Sequence, residues 1–216
     1  KFYVLDLQSH NSLVGWLRDQ GFTVYMVSWR NADDATCAYD GNDYVNQGGL
    51  TALAHVYDIH KTPVNAVGYC IGGTMLSAMT AYLCGEGDDR LSSITLMAAQ
   101  TDFSAPGELG VITTPKFVQD LETAIADNHG VMPGELMAAG FNMLRPDTLI
   151  WRYVQQNYMM GQKPKPMDVL YWNADQTNIP GPLHLSYLKA CYLENALSTG
   201  QLELNGKQVS IGDITL

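Results

Sequence analysis

One hexapeptide in this chain has the residue types and spacing for covalent chemistry: Gly68-Tyr69-Cys70-Ile71-Gly72-Gly73. It lies between the apolar run Val64-Asn65-Ala66-Val67 and an apolar helix pattern from about Ile71 to Leu83. A strand that turns sharply into a helix around a reactive side chain is the layout of a nucleophile elbow. The glycines Gly68, Gly72 and Gly73 fit that reading, because a strained turn brings two backbone stretches close together and side chains there would clash. Cysteine at the tip points to acyl transfer through a thioester. The thiolate is the reactive form, so an adjacent base or a helix N-terminus has to help. The start of helix 71–83 offers backbone N–H groups and the favourable end of the helix dipole. The N–H of Ile71, one residue past Cys70, is expected to form half of an oxyanion hole.

The other cysteines, Cys37, Cys84 and Cys191, have no such context and read as inert. No Cys-x-x-Cys pair and no Cys/His cluster with zinc spacing is present, so no metal site is expected. Isolated cysteines in a globular chain suit a reducing compartment, and the expected location is the cytoplasm. The five histidines, His10, His55, His60, His129 and His184, read as ordinary surface or core residues. His55 and His60 share a helix, but a spacing of five is poor for a common face.

The elements that must position Cys70 begin as an alternation of strand-like and helix-like segments. Strands are expected over Phe2–Leu7, Thr23–Ser28, 64–67 and Ser93–Met97. Helices are expected over 11–20, Asp43–His60 and 71–83. Gly48-Gly49 weakens the middle helix by roughly 1 kcal/mol per glycine relative to alanine. Short, near-continuous apolar strands separated by helices predict a parallel sheet covered on both faces. From Asp102 to about Leu197 the pattern holds helices and loops and no strand. Pro115, Pro133 and Pro146 mark helix starts, Gly130 and Gly161 mark stops, and a last helix is expected over Pro182–Leu197. This stretch reads as a helical cap over the site. The run 201–210 alternates around Asn205-Gly206, a hairpin signal. The division is therefore 1–101 for the core with the elbow, 102–200 for the cap insertion, and 201–216 for a return to the core.

With 216 residues and 46% hydrophobic content, the chain can bury a core. A net charge of −10 with 12 Lys and Arg argues against nucleic acid and anionic membranes as partners. No window carries the roughly 20 apolar residues of a membrane span. Both ends fall inside apolar or strand-like patterns and read as cuts through a larger protein.

With the elbow stand three further segments: Val27-Ser28-Trp29-Arg30-Asn31, Leu144-Arg145-Pro146, and Tyr171-Trp172-Asn173-Ala174-Asp175-Gln176-Thr177-Asn178-Ile179-Pro180-Gly181-Pro182. In this order they resemble the polyhydroxyalkanoate synthases, most closely class I, and the likeness runs from Phe2 through Asn195. The resemblance implies an α/β-hydrolase fold with a helical cap inserted after the strand that follows the nucleophile. It implies an enzyme that joins (R)-3-hydroxyacyl-CoA units, such as 3-hydroxybutyryl-CoA, into a polyester and releases CoA, with no cofactor. Cys70 matches the family's nucleophile. The family's catalytic aspartate and histidine are expected beyond Leu216, and the second oxyanion donor before Lys1, so the 216 residues alone are expected to be inactive. A homodimer through the cap, with Trp172 at the interface, and association with polyester granules are likewise expected.

Cysteine suits such a substrate. Transfer from a CoA thioester to a protein thiol is nearly balanced in free energy, and the acyl group stays activated for a hydroxyl. Covalent catalysis also divides one difficult step into two. Met132, Met137, Met143, Met159, Met160 and Met167 would give the cap flexible apolar side chains that exclude water and rearrange. Two other readings share part of this pattern. One is a cysteine-elbow hydrolase, either a thioesterase or a dienelactone-hydrolase-like enzyme. The other is a non-catalytic fragment at a granule surface.

Overall fold

The computed structural model describes residues 1–144, 146–164 and 166–216. Its first residues do not form the strand expected over Phe2–Leu7. A 3-10 turn occupies Phe2–Leu5; only Asp6–Gln8 (β1) is a strand, paired antiparallel with Asn11–Ser12 (β2). The strand expected over Thr23–Ser28 forms no ladder, and Tyr25, Met26 and Val27 are exposed. One reason covers both differences. Periodicity alone cannot separate strand from other states in a short apolar run. A strand exists only where a neighbour takes its N–H and C=O groups. Ser12 then caps α1 (Leu13–Asp19), its Oγ accepting from Gly15 N at 2.7 Å.

The helix expected over Asp43–His60 is present and starts earlier. Asp40 opens α2 (Gly41–Asp43) through a capping box. A π-helical segment, Tyr44–Leu50, and then α3 (Thr51–His60) continue it, and Lys61 ends it in the left-handed region. Gly48 and Gly49 lie in the π segment. A Cβ on Gly48 would come within 2.3 Å of the Trp29 ring, and one on Gly49 within 2.6 Å of Met79 Sδ. The two glycines therefore give up helix propensity for close packing on both sides. Trp29 in turn stacks on Tyr44, with ring centroids 5.0 Å apart.

Next come β3 (Val64–Tyr69), α4 (Ile71–Glu86) and β4 (Leu91–Met97). Strands β3 and β4 run parallel, in register from Asn65 opposite Ser93 to Tyr69 opposite Met97. Among the described residues this is the one parallel pair, so the larger parallel sheet expected over the first hundred residues is reduced to a single βαβ unit. Most of α4 is buried. Its buried hydroxyls are satisfied within the helix: Ser77 Oγ donates to Gly73 O at 2.9 Å, and Thr80 Oγ1 to Leu76 O at 2.7 Å.

After β4 the chain is mainly helical. It contains α5 (Glu108–Ile112), α6 (Pro115–Asp127), β5 (Val131–Met132) and α7 (Gly134–Leu144). Two π segments follow, Asp147–Trp151 and Val154–Met159, then α8 (Asp168–Ala174), β6 (Ile179–Pro180) and α9 (Gly181–Tyr187). A π segment, Leu188–Leu193, and α10 (Ala196–Thr199) complete it. The prolines act as expected: Pro115 is the first residue of α6, Pro133 directly precedes α7, and Pro146 caps the following π segment. Arg145 lies outside the described residues. The stretch is not free of strand, because β5 and β6 pair antiparallel. Two-residue strands leave no alternating pattern to read. The single helix expected over Pro182–Leu197 breaks at Asn195, which takes a left-handed conformation.

The last segment is the hairpin β7 (Leu202–Leu204) and β8 (Lys207–Val209). Asn205 and Gly206 have φ of 53° and 75°, as a two-residue hairpin turn of this hand requires. Asn205 and Asn46 exchange side-chain amide hydrogen bonds at 2.7 and 2.9 Å, tying the turn to the π segment before α3.

Two hydrophobic clusters result. The first joins Val45, Leu53, Leu76, Met79, Leu83 and Leu91 to Leu204 and Val209 of the hairpin. The second joins Val118, Leu121, Ile125, Met132 and Leu188, all from the stretch after β4.

Candidate active site

The elbow is built from the residues upward. Cys70 lies between β3 and α4 with φ 55° and ψ −127°. An L-residue at such a φ costs on the order of 1–3 kcal/mol and persists only where its surroundings fix it. Here Cys70 N donates to Met97 O at 2.9 Å, anchoring the bend to the end of β4, and Gly73 N donates to Cys70 O at 2.8 Å, starting the helix. The glycines divide into two kinds. A Cβ on Gly68 would lie 2.5 Å from Gly73 Cα, and one on Gly73 would lie 2.3 Å from Ala99 Cβ. A Cβ on Gly72 would meet nothing within 4 Å. The close approach that the motif demands is thus of Gly68 onto the Gly72–Gly73 backbone, where Gly72 O would lie 2.8 Å from a Cβ on Gly68, while Gly72 has room for a side chain of its own.

The thiol is exposed at the tip. Among the described residues, no side chain is hydrogen-bonded to Cys70 Sγ; Cys37 Sγ, by contrast, donates to Asp34 O. Cys191 is buried, and burial pushes its thiol up to about 12, so it stays protonated at neutral pH. Burial also pushes the Tyr187 phenol up, with Tyr192, Cys191 and Cys70 adding smaller contributions of the same sign. None of the histidines is placed with the thiol by a hydrogen bond. His60 Nε2 is 2.8 Å from Tyr25 Oη, and burial lowers the pKa of His184 in α9.

Two of the segments named with the elbow, Val27–Asn31 and Tyr171–Pro182, meet each other through Asn31 and Asn178. Tyr3 Oη donates to Asp175, a bond that holds the phenol up at about 12. Asn11 Nδ2 donates to Asp168 Oδ2 at 2.9 Å. Asn178 reaches in three directions: its N donates to Asn31 Oδ1 at 2.7 Å, its Nδ2 to Ala32 O at 3.3 Å, and its Oδ1 accepts from Gly134 N at 3.0 Å. The Trp-Asn-x-Asp-x-Thr-Asn stretch therefore forms a seam between the first forty residues and the helical stretch. Asp6 accepts from Ser12 Oγ at 2.6 Å. Sequence reading named Asn178 and Asn31 inside their segments without giving them work. The signal was the residue type, since one amide can donate and accept at once. Asn178→Ala is expected to cost about 1–3 kcal/mol in urea unfolding, the penalty for leaving partners unsatisfied; an unchanged midpoint would remove the seam's importance.

The methionines expected in a mobile cap are split. Met132 is buried and Met137 packs against the same cluster, whereas Met143, Met159, Met160 and Met167 are exposed. Trp172 lies under the Lys1 ammonium, with Nζ 5.5 Å from the ring. Two grooves of about 690 and 480 Å³ share Asn128 and Asn178 in their walls, and Cys70 lines neither. No group of three His, Cys, Asp or Glu side chains among the described residues could hold a metal ion. No described helix is long and apolar enough to cross a membrane.

The geometry defines a class: a mixed α/β protein that presents a cysteine on a strained bend between a parallel strand and a buried helix. Comparison with known proteins gives the family. The chain is 43% identical over 217 aligned residues to the poly(3-hydroxyalkanoate) polymerase subunit PhaC of Rhizobium meliloti (strain 1021), covering 100% of this chain and 35% of that protein. It is 41% identical to the poly(3-hydroxyalkanoate) polymerase of Methylorubrum extorquens, over 98% of this chain and 35% of that protein. It is 37% identical to the PhaC subunit of Cupriavidus necator, over 99% of this chain and 37% of that protein. The chain belongs to the polyhydroxyalkanoate synthases, and it spans about a third of the length of these relatives. No protein-family model matches it.

Proposed function

We propose that this chain carries the nucleophile of an acyltransferase that polymerises (R)-3-hydroxyacyl-CoA, with 3-hydroxybutyryl-CoA as the representative substrate. The observation that carries the reading is Cys70 at a φ of 55° over the Gly68–Gly73 approach, in a chain homologous to polymerases throughout its length. Cys70 Sγ attacks the thioester carbonyl of the substrate. The bond between carbonyl carbon and CoA sulfur breaks, CoA leaves, and a protein thioester forms. The 3-hydroxyl of a second acyl unit then attacks this thioester, making an ester and freeing the sulfur. A general base, which the family resemblance places beyond Leu216, takes the proton at each attack. The N–H of Ile71 lies in the first turn of α4, where N–H groups have no intrahelical partner, and it is the donor we assign to the developing oxyanion.

In this reading β3, α4 and β4 belong to an α/β-hydrolase core made of 1–101 and 201–216, with 102–200 as the cap. The two separate hydrophobic clusters support the division, because the hairpin packs with α4 and the later helices pack with each other. The exposed apolar side chains between Met143 and Tyr171, including Trp151, Tyr158 and Met159, favour a cap that meets a second subunit or the polyester surface. The cytoplasmic granule is the corresponding location.

The test is CoA release from 3-hydroxybutyryl-CoA by a full-length synthase carrying this sequence, with analysis of the product. One CoA released per ester bond formed is the expected result. Release with only free 3-hydroxybutyrate would replace this reading with a thioesterase.

A further inference from the structure

The loop between β4 and α5 is held at one end by the elbow and at the other by a single amide. At the near end Cys70 N donates to Met97 O, Ala99 Cβ occupies the space beside Gly73, and Thr74 Oγ1 donates to Gln100 O at 2.6 Å. At the far end Asn195 Nδ2 donates to Asp102 Oδ1 at 2.8 Å, and Asn195 Oδ1 accepts from Phe103 N at 2.8 Å. Phe103 is buried and packs edge-on against Tyr192, with centroids 4.9 Å apart. Asp102 Oδ1 also accepts from Ser104 N at 2.9 Å, and these bonds hold the carboxyl below its usual range.

Two non-glycine residues with positive φ flank the near end: Cys70 at 55° and Ala98 at 48°. Strain of this kind survives only when neighbouring contacts over-determine the backbone. Residue 195 itself has φ 49° and ψ 39°, a conformation that asparagine tolerates better than most. Asparagine also supplies the donor and the acceptor that the two bonds need.

We propose that Asn195 is a positioning residue for Cys70: its amide clamps Asp102 and Phe103, fixes the loop Ala98–Phe103 against the first turn of α4, and so sets the direction of the thiol. The inference rests on Cys70 as the nucleophile. It assigns Asn195 no contact with substrate.

The test exchanges the two side chains in a full-length synthase carrying this sequence. Asn195→Asp sets carboxylate against carboxylate at Asp102 and removes the donor. Combined with Asp102→Asn the repulsion is removed and the new amide at 102 donates to the new carboxylate at 195, which still accepts from Phe103 N, while Ser104 N loses the acceptor it shared with residue 195. Asn195→Asp is expected to lower kcat about 100-fold with KM little changed, the size of effect that a displacement of about 1 Å produces. The double variant is expected to recover part of that loss, since the bond across 102 and 195 returns without the one to Ser104 N. Asn195→Gly, which keeps the left-handed backbone without the amide, is expected to fall as far as Asn195→Asp. The rate of Cys70 alkylation by iodoacetamide, read by peptide mass, should change in both single Asn195 variants and return in part in the exchange. Wild-type kcat in Asn195→Gly, or an exchange no better than Asn195→Asp, would overturn the clamp. Turnover that survives complete alkylation of Cys70 in the unmodified sequence would instead overturn the nucleophile assignment.

Discussion

Replacing Cys70 by alanine in a full-length synthase is expected to reduce polymer formation by roughly 10⁴-fold or more, the scale seen when a covalent nucleophile is deleted. The far-UV circular dichroism should not change. The thiol has no side-chain partner among the described residues, so its removal orphans no buried group. The backbone gives a further expectation. At a φ of 55°, glycine is free of the strain that any side chain incurs. Cys70→Gly should therefore be as inactive as Cys70→Ala yet more resistant to urea, by about 1 kcal/mol. Equal midpoints would mean that the bend is not strained in solution. Polymer formation by either variant would remove Cys70 from the mechanism.

The second large effect lies in the glycines. Gly68→Ala and Gly73→Ala each drive a methyl to within 2.5 Å of main chain or of Ala99 Cβ, where the neighbour is backbone or a short side chain that cannot swing away. Each is expected to destabilise the protein by about 3 kcal/mol or more, the upper range for overpacking a core. Activity should be lost as well, because the bend must open to make room. Gly72→Ala places its methyl in open space on the first turn of α4 and should be close to neutral or slightly stabilising. Urea unfolding of the three variants checks the order. Gly72→Ala as the most damaging of them would refute the geometry.

The elbow was legible because everything that specifies it is local. Gly68, Cys70 and Gly73 fall within six residues, between an apolar run that pairs with β4 and a helix that is mostly buried. The hairpin at Asn205-Gly206 was legible for the same reason, since a turn of that hand selects those residue types. Other features depend on partners far away in sequence. Thr23–Ser28 has strand composition but receives no ladder. β5 and β6 pair across a separation that no periodicity spans. The break at Asn195 shows in sequence as one asparagine inside a helix-like run, and only the bonds to Asp102 and Phe103 explain it. Gly48-Gly49 looked like a weakness in a helix and proved to be room for Trp29 and Met79. In the candidate site, the cysteine could be named from its neighbours in sequence, whereas the residues that hold its loop could not.

The hairpin has a consequence for how the protein is made. Leu204 and Val209 close the wall against which Leu76 and Met79 pack, so the helix behind Cys70 remains unfinished until the whole helical stretch after β4 has left the ribosome. At ordinary elongation rates that interval is on the order of 10 s. Over that time an apolar helix face stays open to solvent and to other nascent chains. A cell producing this protein must guard an unfinished core that the completed molecule never displays.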